Sequence, residues 1–381
     1  MKSECKVCGS GFFNNPIIRL CGMPKAAQFM PSAAELRREK GVDLVVYQCR
    51  GCGLAQLDSR PVPYYKKVVR AAAFSSGMKA FRRKQFSAFV RKYRLKGKKI
   101  FEPGCGRGEY LRLMADTGVK AYGLEYCASF VRECVMSGLK VSRGFIGSPD
   151  SRVHGGPFQA FYTLNFLEHL PAPISFLSGV AANLSEGGGG LVEVPNFDMI
   201  VRKNLFSEFI PDHLCYFTAS TLSFLLQKSG FEVIEMRPVW NDYILSAVVR
   251  KRGRLDFTAF ERNRRSVKNE LSAYISRFKS NRVAVWGAGH QALTVMALAG
   301  LGDRLRYVVD SAPFKQGKYT PSTHIPIVPP QKLEQDPVDA VIVMAASYSD
   351  EVATTLAKKY GRNIDIAILR EHGLEVVSEK K

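Results

Sequence analysis

The chain has 381 residues, which is long enough for two or three domains. Its 46% of hydrophobic and 23% of charged residues are typical of a globular protein, and no run of about 20 apolar residues is present, which argues against a membrane span. The net charge of +21 favours an anionic partner such as nucleic acid, an acidic membrane surface or a phosphorylated substrate, although surplus Lys and Arg that only solvate the surface would explain it as well. The N-terminus lacks the apolar core of a secretory signal, so we expect a cytoplasmic protein.

Two Cys-x-x-Cys-Gly motifs near the N-terminus predict a metal site, formed by Cys5, Cys8, Cys49 and Cys52. Each motif places two thiolates on one metal from a tight turn, and zinc takes four such ligands in a tetrahedron. Four thiolates leave no position for water, so the predicted zinc is structural. Two unrelated reduced pairs are the alternative. We expect Cys21, which lies between the motifs, to pack in the interior.

Short apolar segments then alternate with segments of helical period. After a basic helix at about 78–93, strands are predicted at 99–101, 121–124, 158–162 and 190–194, and helices at 109–117, 128–137, 173–184 and 220–229. Such alternation predicts parallel strands joined by helical crossovers, which is the doubly wound α/β class.

A Gly-rich turn after the first of these strands predicts a cofactor site. Glu102 ends the strand just before the turn, and the turn itself contains Gly104, Cys105, Gly106 and Gly108. Such a turn lets a ligand approach the backbone closely. A carboxylate at Glu102 would repel a pyrophosphate but suits the ammonium of a methionine moiety. Glu125, at the end of the next strand, can bind both ribose hydroxyls of an adenosine, although a solvated strand-end carboxylate is the alternative. Together these features favour S-adenosylmethionine over NAD.

A second alternation begins after a long basic segment at about 257–280. Strands are predicted at 283–286, 305–309, 339–344 and 365–369, and helices at 291–299 and 349–359. The turn at 287–289 with Asp310 about 20 residues on matches an NAD site only superficially. The sequence thus predicts three domains: a zinc-binding module at 1–62, an S-adenosylmethionine-dependent methyltransferase domain at 63–250, and a smaller Rossmann-like α/β domain at 251–381.

Residues 165–171, Asn-Phe-Leu-Glu-His-Leu-Pro, resemble the segment that ends the fourth strand of class I methyltransferases. In that family the segment lies beside the transferable methyl group, which implies that Asn165 contacts the cofactor. The order of zinc module, methyltransferase domain and Rossmann-like domain resembles the sugar C-methyltransferases that act on nucleotide-linked deoxysugars. The segments that carry this resemblance, besides the four cysteines, are 193–196, 206–218, 286–291, 309–321 and 324–327.

The resemblance implies a catalytic role for three residues. In the family, a histidine in a His-Glu-His-Leu-like segment removes a proton next to a keto group, and the enolate attacks the methyl group of the sulfonium. His213 takes the place of the second histidine, Asp212 takes the place of the glutamate, and His169 belongs to the segment beside the methyl group. An imidazole titrates near neutral pH, so His213 suits the role of general base, and a structural histidine is the alternative.

One departure concerns the residues before this pair, because the family has Tyr and His where this chain has Ile210 and Pro211. O- or N-methylation therefore stays open beside C-methylation. In the family the C-terminal domain closes over the substrate, which implies that Lys315, Gln316 and Tyr319 bind it, with a plain loop as the alternative.

The predicted function is transfer of a methyl group to a sugar, which the resemblance implies is linked to a nucleotide, with His213 as the general base. An RNA methyltransferase is an alternative because of the net charge of +21 and the zinc module, but the sequence carries no RNA-recognition signature. A non-catalytic binding protein that retains the fold is a second alternative.

Overall fold

The structure is a computed structural model that describes residues 4–26, 30–67 and 75–378. It contains two compact units, Met1–Arg254 and Leu255–Lys381. The first unit includes residues 1–62, for which the sequence predicted a separate module, as well as the predicted methyltransferase domain. Within the described residues, no helix has the length and apolar character that crossing a membrane requires.

The first unit follows the predicted alternation of strands and helices. Along its described residues the strands are β1 (Ile18–Met23), β2 (Val42–Gln48), β3 (Ala55–Leu57), β4 (Lys99–Pro103), β5 (Lys120–Glu125), β6 (Val141–Arg143), β7 (Phe158–Leu164), β8 (Leu184–Pro195), β9 (Cys215–Tyr216), β10 (Phe231–Val239) and β11 (Ile244–Lys251). The α-helices are α1 (Ser76–Lys92), α2 (Glu109–Ala115), α3 (Ala128–Met136), α4 (Pro173–Ala182), α5 (Phe197–Arg202) and α6 (Ala219–Lys228).

Seven of these strands form one mixed sheet in the order β10-β11-β8-β7-β4-β5-β6. Strands β4 to β8 are parallel to one another, whereas β11 runs antiparallel to its neighbours β8 and β10. The central strand β7 is buried at every residue except Gln159, because hydrophobic clusters cover both faces of the sheet. The predicted doubly wound α/β class is therefore confirmed for this unit.

The N-terminal segment forms a second sheet in the order β1-β2-β3-β9. The first three strands come from residues 18–57, but β9 comes from residues 215–216, and its Tyr216 and Cys215 pair with Ala55 and Gln56 of β3. Side chains of this sheet, such as Val46 and Leu57, pack with Phe197 of α5 in one hydrophobic cluster. Sequence periodicity predicted none of these short strands, and they join the N-terminal segment to the rest of the first unit.

The second unit is a smaller α/β layer structure, also as predicted. Its described elements are α7 (Thr258–Ile275), β12 (Val283–Trp286), α8 (His290–Ala299), β13 (Val308–Val309), β14 (Ile327–Val328), α9 (Lys332–Gln335), β15 (Ala340–Val343), α10 (Ser349–Tyr360), β16 (Asp365–Arg370) and β17 (Gly373–Ser378). Its sheet has the order β14-β13-β12-β15-β16-β17, parallel except for β17, and hydrophobic clusters lie on both of its faces.

Candidate functional site

The four cysteines of the two Cys-x-x-Cys motifs converge at one point. Their sulfur atoms all lie within 4.8 Å of one another, with Cys5 Sγ 3.5 Å from Cys52 Sγ and Cys8 Sγ 3.3 Å from Cys49 Sγ. A zinc ion with bonds of about 2.3 Å to four sulfurs separates them by about 3.8 Å, so the cluster has the size of a tetrahedral site.

The backbone around the cysteines repeats the same geometry in both motifs. The amides of Cys8 and Cys52 donate to the sulfurs of Cys5 and Cys49 at 3.5 and 3.4 Å. The glycine after each motif has a left-handed backbone, with φ of +78° at Gly9 and +79° at Gly53, which explains why glycine occupies both positions. Four sulfurs from two matching turns are the donor set of a structural zinc, so the residues present fit that metal.

Cys21, for which the sequence predicted an interior position, is exposed in β1. That prediction was wrong because residue 21 lies on the open side of an edge strand, and the four ligand positions are filled without it.

The Gly-rich turn lies where β4 ends and α2 begins. Gly104 and Gly106 have φ of +74° and +56°, and a Cβ atom added at Gly104 would lie 3.1 Å from the ring of Phe166. The side chain of Cys105 is fully buried, so only its backbone can meet a ligand. A glycine-rich turn with a left-handed backbone, at the carboxyl end of a parallel strand, is the usual place for a nucleotide-containing cofactor.

The two carboxylates predicted for the cofactor lie on either side of this turn. Glu125 accepts hydrogen bonds from the backbone amides of Gly106 at 2.9 Å and Cys127 at 2.7 Å, which fixes it at the end of β5. Glu102 is buried at the end of β4 and accepts a hydrogen bond from the Tyr162 hydroxyl at 2.7 Å. The structure therefore brings both predicted carboxylates to the same edge of the sheet.

A pocket opens beside Glu125, and sequence reasoning did not identify its walls. Gly104 and Glu125 line it together with the side chains of Tyr126, Phe145 and Phe166. Lys66 also lines it, with Nζ 5.0 Å from the centre of the Phe145 ring. Aromatic walls next to a carboxylate suit the adenine and ribose of an adenosine, the base on the rings and the hydroxyls on Glu125.

Asn165 marks the end of β7 on the same edge. It is exposed, its φ is +49°, and its amide donates to the carbonyl of Glu193 at 2.8 Å. Phe166 follows, and its carbonyl accepts a hydrogen bond from the amide of His169 within a single 3-10 turn, Leu167–His169. His169 is thus one turn away from Phe166, whose ring lines the pocket beside Glu125.

Glu168, His169 and His213 form a compact cluster. The candidate ligand atoms of the three side chains all lie within 4.8 Å of one another, and the rings of His169 and His213 meet edge to face with centres 4.8 Å apart. His169 Nδ1 lies 2.8 Å from the carbonyl oxygen of Asp212, which can only accept, so Nδ1 carries the hydrogen and Nε2 keeps a lone pair. That lone pair faces Glu168 Oε1 at 3.8 Å.

Glu168 was not among the predicted catalytic residues. Its side chain is 1% exposed, and among the described residues its Oε2 has no hydrogen-bond partner. Burial raises the pKa of Glu168 to about 8. Burial, followed by the charge of His169, lowers the pKa of His213 to about 3, and burial lowers the pKa of His169. At neutral pH the cluster therefore contains a protonated carboxyl group and two neutral imidazoles. The signal that could have identified Glu168 is a carboxylate in a short segment whose other residues, His169 apart, are apolar: Phe-Leu-Glu-His-Leu.

The N-terminal sheet holds the His213 segment in place. Leu214 donates to the carbonyl of Glu168 at 2.7 Å and accepts from the amide of Leu57 at 2.9 Å, immediately before β9 pairs with β3. Asp212 is buried and acts on the cluster through its backbone carbonyl oxygen. Three segments that are remote in sequence thus fix the distance between the two histidines.

The predicted substrate residues of the second unit are engaged within that unit. Asp310 accepts hydrogen bonds from Lys315 Nζ at 2.9 Å and from the amide of Ala288 at 2.8 Å, and its carbonyl oxygen accepts from Gln316 Nε2 at 3.0 Å. Tyr319 is exposed. Lys315 and Gln316 therefore brace the loop that presents Tyr319, and Asp310 is occupied by contacts to its own turn.

Two family models match the chain. A methyltransferase domain matches residues 78–236, and a C-methyltransferase C-terminal domain matches residues 252–367. The C-methyltransferase NovU of Streptomyces niveus is 24% identical over 92% of this chain and 91% of its own length. The ubiquinone biosynthesis O-methyltransferase of Thiobacillus denitrificans is 28% identical over 25% of this chain and 43% of its own length.

Solved structures are also similar to part of the chain. Magnesium protoporphyrin IX methyltransferase from Synechocystis, solved with bound SAH, has a TM-score of 0.37 and 16% identity, covering 46% of this chain and 84% of its own. The PH0226 protein of Pyrococcus horikoshii has a TM-score of 0.41 and 16% identity, covering 50% of this chain and 100% of its own.

Proposed function

Because the chain is an S-adenosylmethionine-dependent methyltransferase in which a methyltransferase domain precedes the C-terminal domain of C-methyltransferases, we propose that it methylates a nucleotide-linked sugar. The observation that carries the proposal is the meeting of His169 and His213 at the sheet edge, one turn from the cofactor pocket. The alignment with NovU includes both flanking parts of the chain, which supports a related type of acceptor.

The residues at the sheet edge fit the cofactor. Glu125 would hold the ribose hydroxyls, Tyr126 and Phe145 would enclose the adenine, and Gly104 and Gly106 would let the methionine moiety approach the backbone, where Glu102 lies behind the turn. Asn165, Cys105 through its backbone, and Gly108 complete the predicted set. When bound, S-adenosylmethionine supplies an electrophilic methyl group on a sulfonium.

The chain's own contribution to the reaction is proton removal. His213 is neutral at working pH and partly buried, so it can accept a proton from the carbon, or from the hydroxyl, that receives the methyl group. Glu168 belongs to the same cluster, and its carboxyl group, when ionised, would place a negative charge beside the imidazolium that forms. Asp212 holds His169 in the tautomer whose lone pair faces this space.

The Cys5, Cys8, Cys49 and Cys52 cluster would hold a structural zinc, which would keep the N-terminal sheet and with it the His213 segment in position. Ligation requires reduced thiols, so a cytoplasmic location fits the proposal. In the second unit, Tyr319 on its loop braced by Lys315 and Gln316 would contact the sugar or its carrier. The match to the C-terminal domain of C-methyltransferases and the similarity to the C-methyltransferase NovU favour a carbon atom next to a keto group as the methyl acceptor.

The test is a screen of the full chain with isotopically labelled S-adenosylmethionine. The panel should contain nucleotide-linked sugars in pairs that differ only in having a keto group or a hydroxyl group, and NMR should locate the new methyl group. Transfer to carbon on the keto member of a pair is the expected result. Cofactor binding without transfer to any sugar would overturn the proposal. Tight RNA binding that weakens steeply with salt would point to an RNA methyltransferase instead.

A further inference from the structure

The turn between β10 and β11 has an unusual backbone. Trp240, Asn241 and Asp242 have φ of +51°, +56° and +65°, and none of the three is glycine. The left-handed region is unfavourable for residues with a Cβ atom, most of all for a bulky one such as tryptophan. Three such residues in succession persist only where the surrounding structure holds them, and such segments are concentrated at functional sites.

Contacts from the methyltransferase sheet hold this turn. Asn196, a buried residue that follows β8, donates from Nδ2 to the carbonyl of Asp242 at 2.7 Å and from its backbone amide to the carbonyl of Tyr243 at 2.9 Å. The ring of Trp240 packs on Phe81 of α1 with centres 5.2 Å apart. The turn therefore fixes Tyr243 at the end of β8, on the same sheet edge as the cofactor turn and Asn165.

The Tyr243 hydroxyl points to the segment that carries the proposed base. It donates a hydrogen bond to Glu208 Oε2 in the 3-10 turn Phe206–Glu208, five residues before His213. Burial, then the bond to Glu208, raises the pKa of Tyr243, so the phenol keeps its proton at neutral pH. Its partner Glu208 belongs to the segment that leads to His213, which ties the phenol to that segment. With 37% of its surface exposed, Tyr243 is also accessible to a ligand.

We propose that Tyr243 and Glu208 form the polar contact for the methyl acceptor. When the acceptor binds, the single hydrogen of the Tyr243 hydroxyl turns from Glu208 Oε2 to the acceptor oxygen, on which negative charge develops as His213 removes the proton. A neighbouring hydroxyl of the sugar then replaces it as the donor to Glu208. A phenol that remains protonated is suited to stabilise an oxyanion, and the carboxylate beside it suits a sugar, whose hydroxyls both donate and accept.

This assignment rests on the proposed function, because it requires a sugar as the acceptor.

The experiment compares Tyr243→Phe and Glu208→Gln with the wild-type chain, using a sugar that the wild-type chain methylates. We expect Tyr243→Phe to lower kcat about 10²–10³-fold, as for removal of one oxyanion donor, while the Kd for S-adenosylmethionine changes less than twofold. Glu208→Gln should mainly raise KM. The control is Tyr348→Phe, which removes an exposed phenol in the second unit and should change neither constant.

Thermal unfolding of each variant separates a contact role from a loss of fold. If Tyr243→Phe unfolds at the wild-type temperature and retains wild-type kcat and KM, the assignment is wrong while the proposed function stands. If the wild-type chain transfers methyl groups to no sugar, both fail together. A variant that loses kcat but keeps its cofactor affinity and its unfolding temperature would support the assignment.

Discussion

Replacing Glu168 with glutamine tests whether this carboxyl group is protonated in the folded protein. Burial raises its pKa from 4.5 to about 8, and no group in the described part of the chain forms a hydrogen bond with its Oε2. Between these two pH values the folded chain therefore holds a proton that the unfolded chain releases. The contribution of Glu168 to stability is complete below pH 4.5, is lost as the pH rises, and has vanished above about pH 8.

The magnitude follows from the width of this interval. Each pH unit inside it is equivalent to about 1.36 kcal/mol, so the Glu168 contribution falls by about 2.5 kcal/mol between pH 5 and pH 7. Glu168→Gln retains the shape of the side chain and removes its titration. We therefore expect the free energy of unfolding of the variant to increase relative to that of the wild type by about 2.5 kcal/mol between pH 5 and pH 7, because only the wild type loses stability over this range.

The assay is urea unfolding at pH 5, 6 and 7, followed by tryptophan fluorescence. Two tryptophans are present, Trp240 in the first unit and Trp286 in the second, so a Trp286→Phe background lets Trp240 report on the unit that contains Glu168. Glu232→Gln, an exposed glutamate on β10, is the control and should show a constant difference. A constant difference for Glu168→Gln as well would refute the reasoning, because the carboxylate would then be ionised in both states.

The other predictions concern the proposed base, the zinc and the cofactor. His213→Asn should lower turnover about 10²–10⁴-fold while cofactor affinity hardly changes, and unchanged turnover in steady-state assays would exclude His213 as the base. Metal analysis should find about one zinc per chain, which Cys21→Ser should retain and Cys49→Ser should lose. Cys49→Ser should also lose turnover, because β9 beside His213 pairs with β3 of the N-terminal sheet. Wild-type protein that is fully active without zinc would contradict this prediction. Glu125→Ala should weaken S-adenosylmethionine binding about 10–100-fold in calorimetry, whereas the exposed Glu133→Ala should not, and equal affinities would remove Glu125 from the cofactor site.

Features that depend on neighbouring residues in sequence were predictable from the sequence alone. A pattern of a few neighbouring residues is enough to predict each of three features: the repeated Cys-x-x-Cys-Gly motif, the Gly-rich turn after β4, and the alternation of strands and helices. For this reason the α/β class of both units is confirmed, and the predicted carboxylates at Glu102 and Glu125 lie on one sheet edge.

Features that depend on burial or on contacts between remote segments were decided only by the tertiary structure. No local pattern shows that Glu168 loses all contact with water, that β9 completes the N-terminal sheet beside His213, or that Tyr243 turns toward Glu208. The sequence predicts that Lys315 binds a substrate, whereas in the structure its Nζ donates a hydrogen bond to Asp310 Oδ2 at 2.9 Å. The sequence alone determined which chemical groups the chain possesses and which local turns carry them. Their partners, their desolvation and hence their protonation were decided by packing, because these depend on atoms contributed by distant parts of the chain.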